Sequence, residues 1–344
     1  MSAGNDGRQL RVAALKRSAD LGGSMLAAIQ RDDGSLGPPH PVVESYYKGI
    51  LAFLATGRSL EAARLAAFVA GQIDAHGDVP SPREELDFLD THYLYANGYL
   101  TIGCQLLGRF DLARSLFAFM RSRQDPVSGG FLSYGPNRAT TGCCDTVSTG
   151  IGGLAALHVG ALDVAERAAD FLRHLWAVQP DRPRTFVASA CTGGALDSAG
   201  SVVRLAITEP DQDWYFVGLP ALFLAALSRR TGNSQHEDLA VEFVELLVER
   251  AHDEAMTDPS AGKLAVAAAM LTGRGGQRYV DVALGICEVF VARQSPDGWW
   301  NDGHVSSADR LTWSDLDMTA EYVVWLDLVA RNIVVEPSAV CDQA

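Results

Sequence analysis

The stretch RQSPDGWW, residues 293–300, places a glutamine at the end of an apolar run and two tryptophans beside an Asp-Gly turn. A weaker form recurs in MLAAIQRDDGSL (25–36), FVAGQIDAHGDV (68–79) and FAFMRSRQDPVSGGF (117–131), where a glycine follows the glutamine by four or five residues. Gln179 ends a further apolar stretch, whereas the segment 243–254 lacks the glutamine. Repetition at intervals of about 40–60 residues predicts a repeated helical architecture.

Between these endings lie six segments that are apolar nearly all round. Helices of that kind are surrounded by protein, whereas segments such as 59–73 and 110–124 are amphipathic and face water. Six buried helices and an outer set that begins at 8–30 predict an all-α fold, an (α/α)6 toroid in a single domain, 1–344. An open solenoid of the same hairpins is the alternative, and the long gap 180–212 is expected to be a functional loop. The six predicted inner helices are 46–57, 91–108, 145–160, 213–232, 261–273 and 317–332.

Composition narrows the possible partners. The chain has 344 residues, 48% of them hydrophobic, and a net charge of −14. The negative charge argues against nucleic acid and against anionic membrane surfaces. Residues 1–20 carry charges throughout and no stretch is long and apolar enough to span a bilayer, while the six cysteines lack zinc-site spacing. We therefore expect a reduced, cytoplasmic protein that acts on a small molecule without a metal or cofactor; the oligomeric state is left open.

Two motifs carry a resemblance to a known superfamily. Gln294, Gly298 and Trp300 form a Q-x-x-x-G-x-W pattern that resembles the QW motif of squalene and terpene cyclases. DLDMTAE (315–321) is similar to their acid motif, with Asp317 at the proton-donating position and Met318 in place of the third aspartate. The resemblance implies an α/α toroid, a fold shared with protein prenyltransferases. The single-toroid layout is similar to linalool dehydratase-isomerase, which implies cofactor-free acid–base chemistry.

The N-terminal ends of inner helices converge on one mouth of a toroid, and those ends carry most of the acids, bases and aromatic side chains. The opposite ends, such as ATGRS and LTGRG, hold no comparable set. We predict Asp317, His92, Cys144, Tyr47 and Asp145 as catalytic residues. The predicted substrate-binding residues are Lys48, Lys263, Glu44, Asp90, Tyr93, Trp214, Tyr215, Asp315, Cys191, His304 and Trp300.

Each of these residues also has a structural interpretation. An aspartate at a helix start is commonly an N-cap, which applies to Asp90, Asp145 and Asp213. That interpretation is weaker for Asp317 because Asp315 lies two residues before it and one cap suffices. Only three lysines occur, at positions 16, 48 and 263, and two of them fall near starts of inner helices. A lysine there is either part of a structural ion pair, such as Lys48 with Glu44, or functional.

These patterns lead to three hypotheses. The first is a cofactor-free lyase, isomerase or cyclase of a terpenoid- or polyketide-like metabolite, with Asp317 as the acid and His92 or a tyrosinate as the base. The second is a glycoside-cleaving toroid similar to unsaturated uronyl hydrolases, with paired carboxylates and tryptophans that stack on sugar rings. The third is a non-catalytic binding module. A closed apolar chamber would favour the first hypothesis and an open polar groove the second.

Overall fold

The computed structural model describes residues 2–39, 41–80, 86–136, 142–182, 184–191, 204–301 and 311–333, without the side chains of 2–5, 86, 87 and 90. Helices dominate these ranges, and short strands occur only where the chain crosses the mouth of the fold. In chain order the helices are α1 (Ser2–Ala28), α2 (Gly49–Ala55), α3 (Ser59–Ala70), α4 (Leu86–Thr91), α5 (Leu94–Leu107), α6 (Phe110–Ser122), α7 (Thr146–Val159), α8 (Leu162–Ala177), α9 (Tyr215–Thr231), α10 (Ser234–Glu245), α11 (Gly262–Met270), α12 (Thr272–Arg293) and α13 (Trp313–Asn332). The strands are β1 (Cys144–Asp145), β2 (Thr185–Val187), β3 (Ser189–Ala190) and β4 (Arg204–Ala206).

The long helices form two concentric rings. In the inner ring α2 packs on α5, and the contacts continue through α7, α9 and α11 to α13, which packs on α2 again. The outer ring consists of α1, α3, α6, α8, α10 and α12, each lying against inner helices. The closing contact between α13 and α2 confirms the predicted (α/α)6 toroid and excludes the open solenoid. Five of the predicted inner segments contain one inner helix each, and α13 begins at Trp313, four residues before the predicted segment 317–332.

Small residues allow the inner helices to approach closely. A Cβ atom at Gly98 of α5 would lie 2.3 Å from Ile151 Cγ1 of α7, and one at Gly262 of α11 would lie 2.1 Å from Trp325 Cδ1 of α13. Nothing larger than glycine fits such contacts without a shift, because protein interiors are packed at crystal-like density. The glycine content of the apolar segments is therefore a requirement of the tight inner ring.

The recurring glutamines tie neighbouring outer helices together. Gln294 Nε2 donates to the carbonyl of Gly298 in its own turn, at 2.9 Å, and to that of Ser18 in α1, at 3.0 Å. Because α1 and α12 are the first and last outer helices, this bond closes the outer ring. Gln30 and Gln124 act alike, donating to Glu61 O of α3 at 2.9 Å and Val164 O of α8 at 3.0 Å respectively.

The two tryptophans beside the turn now have a structural explanation. Trp300 is 1% exposed, and its Nε1 donates to the carbonyl of Phe290 in α12 at 2.8 Å. Its backbone N–H donates to Thr319 Oγ1 of α13 at 3.0 Å. Trp299 is also buried. The turn therefore joins an outer helix to the following inner helix, and the ring of Trp300 packs edge-on against Tyr322 of α13.

One repeat departs from this pattern. Gln179 bonds to Val187 of β2, in both directions at 2.8 Å, instead of to the next outer helix. The cause is the long excursion at 180–212, where β2 pairs with β4 and β3 pairs with β1, both antiparallel. The part of this predicted loop that the structure describes is therefore partly strand, and its functional role stays a prediction. Within the described ranges, no helix is long and apolar enough to cross a membrane.

Candidate active site

A cavity of about 220 Å³ opens where the N-terminal ends of α2, α11 and α13 meet. Its wall is partly aromatic and partly charged. Six of the residues predicted from the sequence line it, together with several that were not predicted. The predicted ones are Glu44, Tyr47, Lys48, Tyr215, Lys263 and Asp317, and the others include Phe88, Tyr95, Trp313, Glu321 and Tyr322.

Two lysines and two carboxylates meet in this wall. Lys48 Nζ, on a side chain only 2% exposed, donates to Asp317 Oδ2 at 2.9 Å and also to Glu321 Oε2. Lys263 Nζ donates to Glu321 Oε1, which also accepts a bond from Trp325 Nε1 at 3.0 Å. The anticipated pairing of Lys48 with Glu44 is therefore replaced by pairing with α13. We call Lys48, Lys263, Asp317 and Glu321 the charged cluster.

The charged cluster separates the pKa values of its two carboxyl groups. Burial and the nearby Glu321 raise the pKa of Asp317, against the opposing effect of Lys48. Burial acts in the same direction on Glu321, but Lys263 and Lys48 outweigh it and lower the pKa of Glu321 to about 2. When the environments of two carboxyl groups separate their pKa values in this way, one group can serve as an acid and the other as its ionised partner. Asp317 is the group that retains a proton more readily.

Asp317 is free for this role because its neighbour caps the helix. Thr312 Oγ1 accepts a bond from the backbone N–H of Asp315 at 3.2 Å, and Asp315 Oδ2 accepts from the backbone N–H of Thr312 at 2.8 Å. This reciprocal capping box satisfies the start of α13. Asp315 therefore supports the helix, while Asp317 faces the cavity. The phenol of Tyr47 also lies close to this carboxyl group and helps to lower the pKa of Asp317, against the effect of burial.

Tyrosines surround the ammonium group of Lys48. Nζ lies 4.8 Å from the ring centroid of Tyr47, 5.7 Å from that of Tyr95 and 5.8 Å from that of Tyr99. Such contacts stabilise a buried cation. Burial, assisted by the neighbouring carboxylates, raises the pKa of Tyr47 well above its usual value. The tyrosinate base expected from the sequence is therefore disfavoured, because a phenol in this position holds its proton.

His92 and Asp145 form a second buried pair. His92 Nδ1 lies 3.1 Å from Asp145 Oδ1, and that oxygen also accepts from the backbone N–H groups of Val147 and Ser148 at the start of α7. His92 packs on Phe88, with ring centroids 4.9 Å apart. Phe88 lines the cavity but His92 does not, so the imidazole lies behind the aromatic wall. Asp145 is an N-cap, the structural interpretation given above.

The remaining predicted residues do not line the cavity, or they lie outside the residues that the structure describes. Tyr93 directs its hydroxyl to Asp78 Oδ2 at 2.5 Å, and Trp214 is buried beneath the start of α9. Trp300 belongs to the helix junction described above. Cys144 is buried near Ser128 Oγ, 3.9 Å away, and Cys191 follows β3. The side chain of Asp90 and all of His304 lie outside the described residues. The roles predicted for these residues stay predictions.

Sequence reasoning missed Glu321, Tyr95, Tyr99 and Trp325. Glu321 is the last letter of the quoted DLDMTAE motif and lies one helical turn after Asp317, on the same face of α13. That spacing could have identified Glu321 as a partner of Asp317 from the sequence. The tyrosines and Trp325 appeared only as apolar members of inner helices. Among the described residues, no group of three or more His, Cys, Asp or Glu side chains is placed to hold a metal ion.

A larger cavity of about 380 Å³ lies at the opposite, C-terminal ends of the inner helices. Its lining is mostly aliphatic, with Tyr99 and Trp325 as its aromatic members and an Asp327–Arg331 ion pair among its polar groups. Its described lining contains no pair of neighbouring carboxylates. Its size alone would make this cavity the candidate active site. The smaller cavity is the better candidate, because the charged cluster lies in its wall.

Comparisons with known proteins found solved structures of similar fold but no related sequence. No family model matches the chain, and no curated protein matches it in sequence. An inactive variant of the family 76 alpha-1,6-mannanase of Salegentibacter sp., solved with alpha-1,6-mannotriose, is 14% identical with a TM-score of 0.65, over 92% of this chain and 99% of that one. A family 76 glycoside hydrolase (mannosidase) from Bacteroides thetaiotaomicron is 13% identical with a TM-score of 0.64, over 92% and 98%. The unsaturated glucuronyl hydrolase from Bacillus sp. is 13% identical with a TM-score of 0.60, over 90% and 95%.

These similarities correct the leading hypothesis. The named structures are α/α toroid enzymes, as the resemblance in the sequence implied, but they are glycoside hydrolases. The expectation of a lyase, isomerase or cyclase in terpenoid or specialised metabolism is therefore wrong, and the alternative of a glycoside-cleaving enzyme is better supported. The QW-like pattern led to the wrong reaction class because its glutamine and tryptophan join helices to one another. That role belongs to the toroid fold and does not indicate a particular reaction.

Proposed function

We propose that the protein is a glycoside hydrolase whose paired carboxyl groups are Asp317 and Glu321. The observation that carries this proposal is the difference between their pKa values. The pKa of Asp317 is raised and that of Glu321 is lowered to about 2, although the two side chains lie one helical turn apart in the wall of the same cavity. Glycosidases use two carboxyl groups, one as acid and one as base or nucleophile. The solved structures with this fold that bear hydrolase names support the same conclusion.

In the proposed reaction Asp317 is the general acid. Its proton passes from Oδ1 to the glycosidic oxygen as the bond to the anomeric carbon breaks, and the electron pair of that bond leaves with the oxygen. Oδ1 suits this task because the ammonium group of Lys48 binds Oδ2 and leaves Oδ1 for the substrate. Lys48 holds the other oxygen of the same carboxyl group at 2.9 Å and thereby fixes its orientation.

Glu321 is the nucleophile in this proposal. A carboxylate has about four lone-pair positions, and bonds from Lys263, Trp325 and Lys48 occupy three of them. One position remains to attack the anomeric carbon and form a glycosyl–enzyme ester. Water then hydrolyses the ester and gives its proton back to Asp317.

The spacing of the carboxyl groups predicts the stereochemistry. Both bind the same ammonium nitrogen, so the bonded oxygens are separated by no more than about 6 Å. Retaining glycosidases place their carboxyl groups about 5–5.5 Å apart, whereas inverting ones need about 6.5–9.5 Å to admit a water molecule. We therefore expect retention of anomeric configuration.

The proposed substrate is a carbohydrate bound by a terminal sugar. The cavity of about 220 Å³ is smaller than the ~300–1000 Å³ typical of sites for drug-sized ligands. A space of this size suits a single sugar unit rather than a longer stretch of chain. The aromatic side chains of Tyr47, Phe88, Tyr95 and Tyr215 supply apolar faces against which a sugar ring packs.

The experiment is hydrolysis of an oligosaccharide panel in water enriched in oxygen-18. The panel contains neutral alpha-1,6-linked mannooligosaccharides and unsaturated uronyl disaccharides, so that neutral and acidic substrates are compared directly. We expect one class to be cleaved, with the label at the newly formed reducing end. Proton NMR at early times reports whether the first product retains its configuration. Cleavage with no label, or equal cleavage by wild type and Asp317→Asn, would contradict the proposal.

A further inference from the structure

Two cysteines face each other across the short sheet at the mouth. β1 and β3 are antiparallel, with Cys144 opposite Ala190 and Asp145 opposite Ser189. The same register, extended by one residue, places Cys143 directly opposite Cys191. Their sulfur atoms lie 2.7 Å apart. The chain thus brings together two thiols that are far apart in the sequence.

The hydrogen-bond pattern shows which kind of pair this is. The backbone N–H of Thr146 donates to the carbonyl of Ala188 at 3.0 Å, so these two residues form a hydrogen-bonded pair. Such pairs alternate along an antiparallel ladder with pairs that lack hydrogen bonds. Cys143 and Cys191 are three positions further along and belong to the second kind. In pairs of that kind the Cα atoms are typically about 4.5 Å apart, within the ~4.4–6.8 Å range that a disulfide bridges.

We propose that Cys143 and Cys191 are an oxidisable pair, a modification site at which a reversible disulfide joins β1 to β3. This proposal does not depend on the proposed function. The bond fixes the strand that carries Asp145, and through Asp145 it restrains His92 behind the cavity wall. The described part of the excursion at 180–212 would then be covalently attached to the start of α7.

The exchange reaction requires a disulfide as oxidant, which we take to be a small molecule such as oxidised glutathione. The thiolate of Cys191, the more exposed of the two, attacks one sulfur of the oxidant and expels one glutathione thiolate. The thiolate of Cys143 then attacks Cys191 Sγ in the mixed disulfide and expels the second. Two protein thiols are oxidised, one glutathione disulfide is reduced to two thiols, and the leaving thiolates take up the two protons.

The other described cysteines provide internal controls. Cys104 and Cys287 are enclosed within inner and outer helices, and Cys144 is 1% exposed. Burial raises the pKa of Cys104 and of Cys144 to about 12. Buried, protonated thiols react slowly, so these three are expected to remain reduced under conditions that oxidise the pair.

The test uses the full-length protein in mixtures of reduced and oxidised glutathione with an increasing oxidised fraction. Samples are quenched with acid, denatured, alkylated with iodoacetamide and digested for mass spectrometry. We expect a cross-linked peptide pair lighter by two hydrogens that joins Cys143 to Cys191, with full alkylation of Cys104, Cys144 and Cys287. The oxidised protein should unfold several degrees higher than the reduced protein, because the cross-link closes a loop of about 50 residues.

Matched variants assign the bond. Cys144→Ser should keep both the cross-link and the shift in unfolding temperature, whereas Cys143→Ser and Cys191→Ser should lose both while unfolding like the reduced wild type. The proposal is overturned if Cys143 and Cys191 stay fully alkylated at the most oxidising ratio, or if either one is linked instead to Cys144 or Cys341. It is equally overturned if Cys191→Ser still shows the temperature shift on oxidation.

Discussion

Lys48 Nζ lies 2.9 Å from Asp317 Oδ2, although the two residues are 269 positions apart in the chain. The contact exists because α13 returns to α2 and closes the inner ring. It places the cation from the first inner helix against the carboxyl group of the last one. The candidate active site is therefore built at the closure of the toroid, and it depends on that closure.

Replacing Asp317 should separate catalysis from folding. Asp317→Asn keeps the size of the side chain but removes the proton that the proposed reaction donates, so kcat should fall by about 10²–10⁴-fold with little change in unfolding. Asp315→Asn should do the reverse. It weakens the capping box and lowers the free energy of unfolding by about 1 kcal/mol, with kcat nearly unchanged. Steady-state kinetics and urea unfolding of both variants check this, and similar kcat losses in both would argue against Asp317 as the acid.

The pH dependence of kcat should report the state of Asp317. The reaction needs its protonated form, so kcat should fall as the pH rises through the raised pKa of Asp317. Lys48 works to lower that pKa, and Lys48→Met should therefore move the alkaline limb of the pH profile to higher pH. Lys263→Met is the matched control, because Lys263 binds Glu321 and does not contact Asp317. An alkaline limb that moves equally in both variants, or towards lower pH in Lys48→Met, would show that another group controls it.

The Asp145 cap should make stability sensitive to acid. Although burial opposes the effect, His92 and the backbone N–H of Ser148 hold the pKa of Asp145 below 3.8, the ordinary value of an aspartate. The unfolded state therefore binds more protons as the pH drops, and the stabilisation present above pH 3.8 is lost as the pH falls through the folded-state pKa.

Asp145→Asn should consequently cost about 1–3 kcal/mol near neutral pH and progressively less below pH 3.8. Urea unfolding of the variant and the wild type at several pH values measures that difference. A cost that stays constant down to the acid limit would mean that the charge of Asp145 contributes nothing to stability.

The closure of the outer ring should depend on Gly298. A Cβ atom there would lie 2.7 Å from the carbonyl oxygen of Leu21 in α1, whereas Gly57 has open space around it. Both glycines have positive φ, 97° and 73°, so alanine strains the backbone at each. The difference between Gly298→Ala and Gly57→Ala isolates the contact with α1, and we expect it to be about 1–3 kcal/mol. Equal losses in thermal or urea unfolding would show that backbone strain alone accounts for the glycine.

Much of the fold could be predicted from the sequence, because the patterns that indicate it lie within short segments of the chain. The glutamine endings, the apolar inner segments and the amphipathic outer ones follow from hydrogen bonding and burial within single helices. The sequence also selected Lys48 and Lys263, since lysine is rare in this chain, and Asp317, since Asp315 is available to cap the same helix. It failed at 180–212, where strand pairing between β2 and β4 depends on partners that no local pattern reveals.

The sequence by itself determined the toroid and the mouth that carries the charges. Only the tertiary structure decided which charges meet: Lys48 pairs with α13 instead of with Glu44, Glu321 joins two lysines, and His92 turns to Asp145 behind Phe88. The physical reason is the range of the interactions. Helix periodicity and capping act within a few residues, whereas a pKa is set through space by groups that distant parts of the chain bring within a few ångströms.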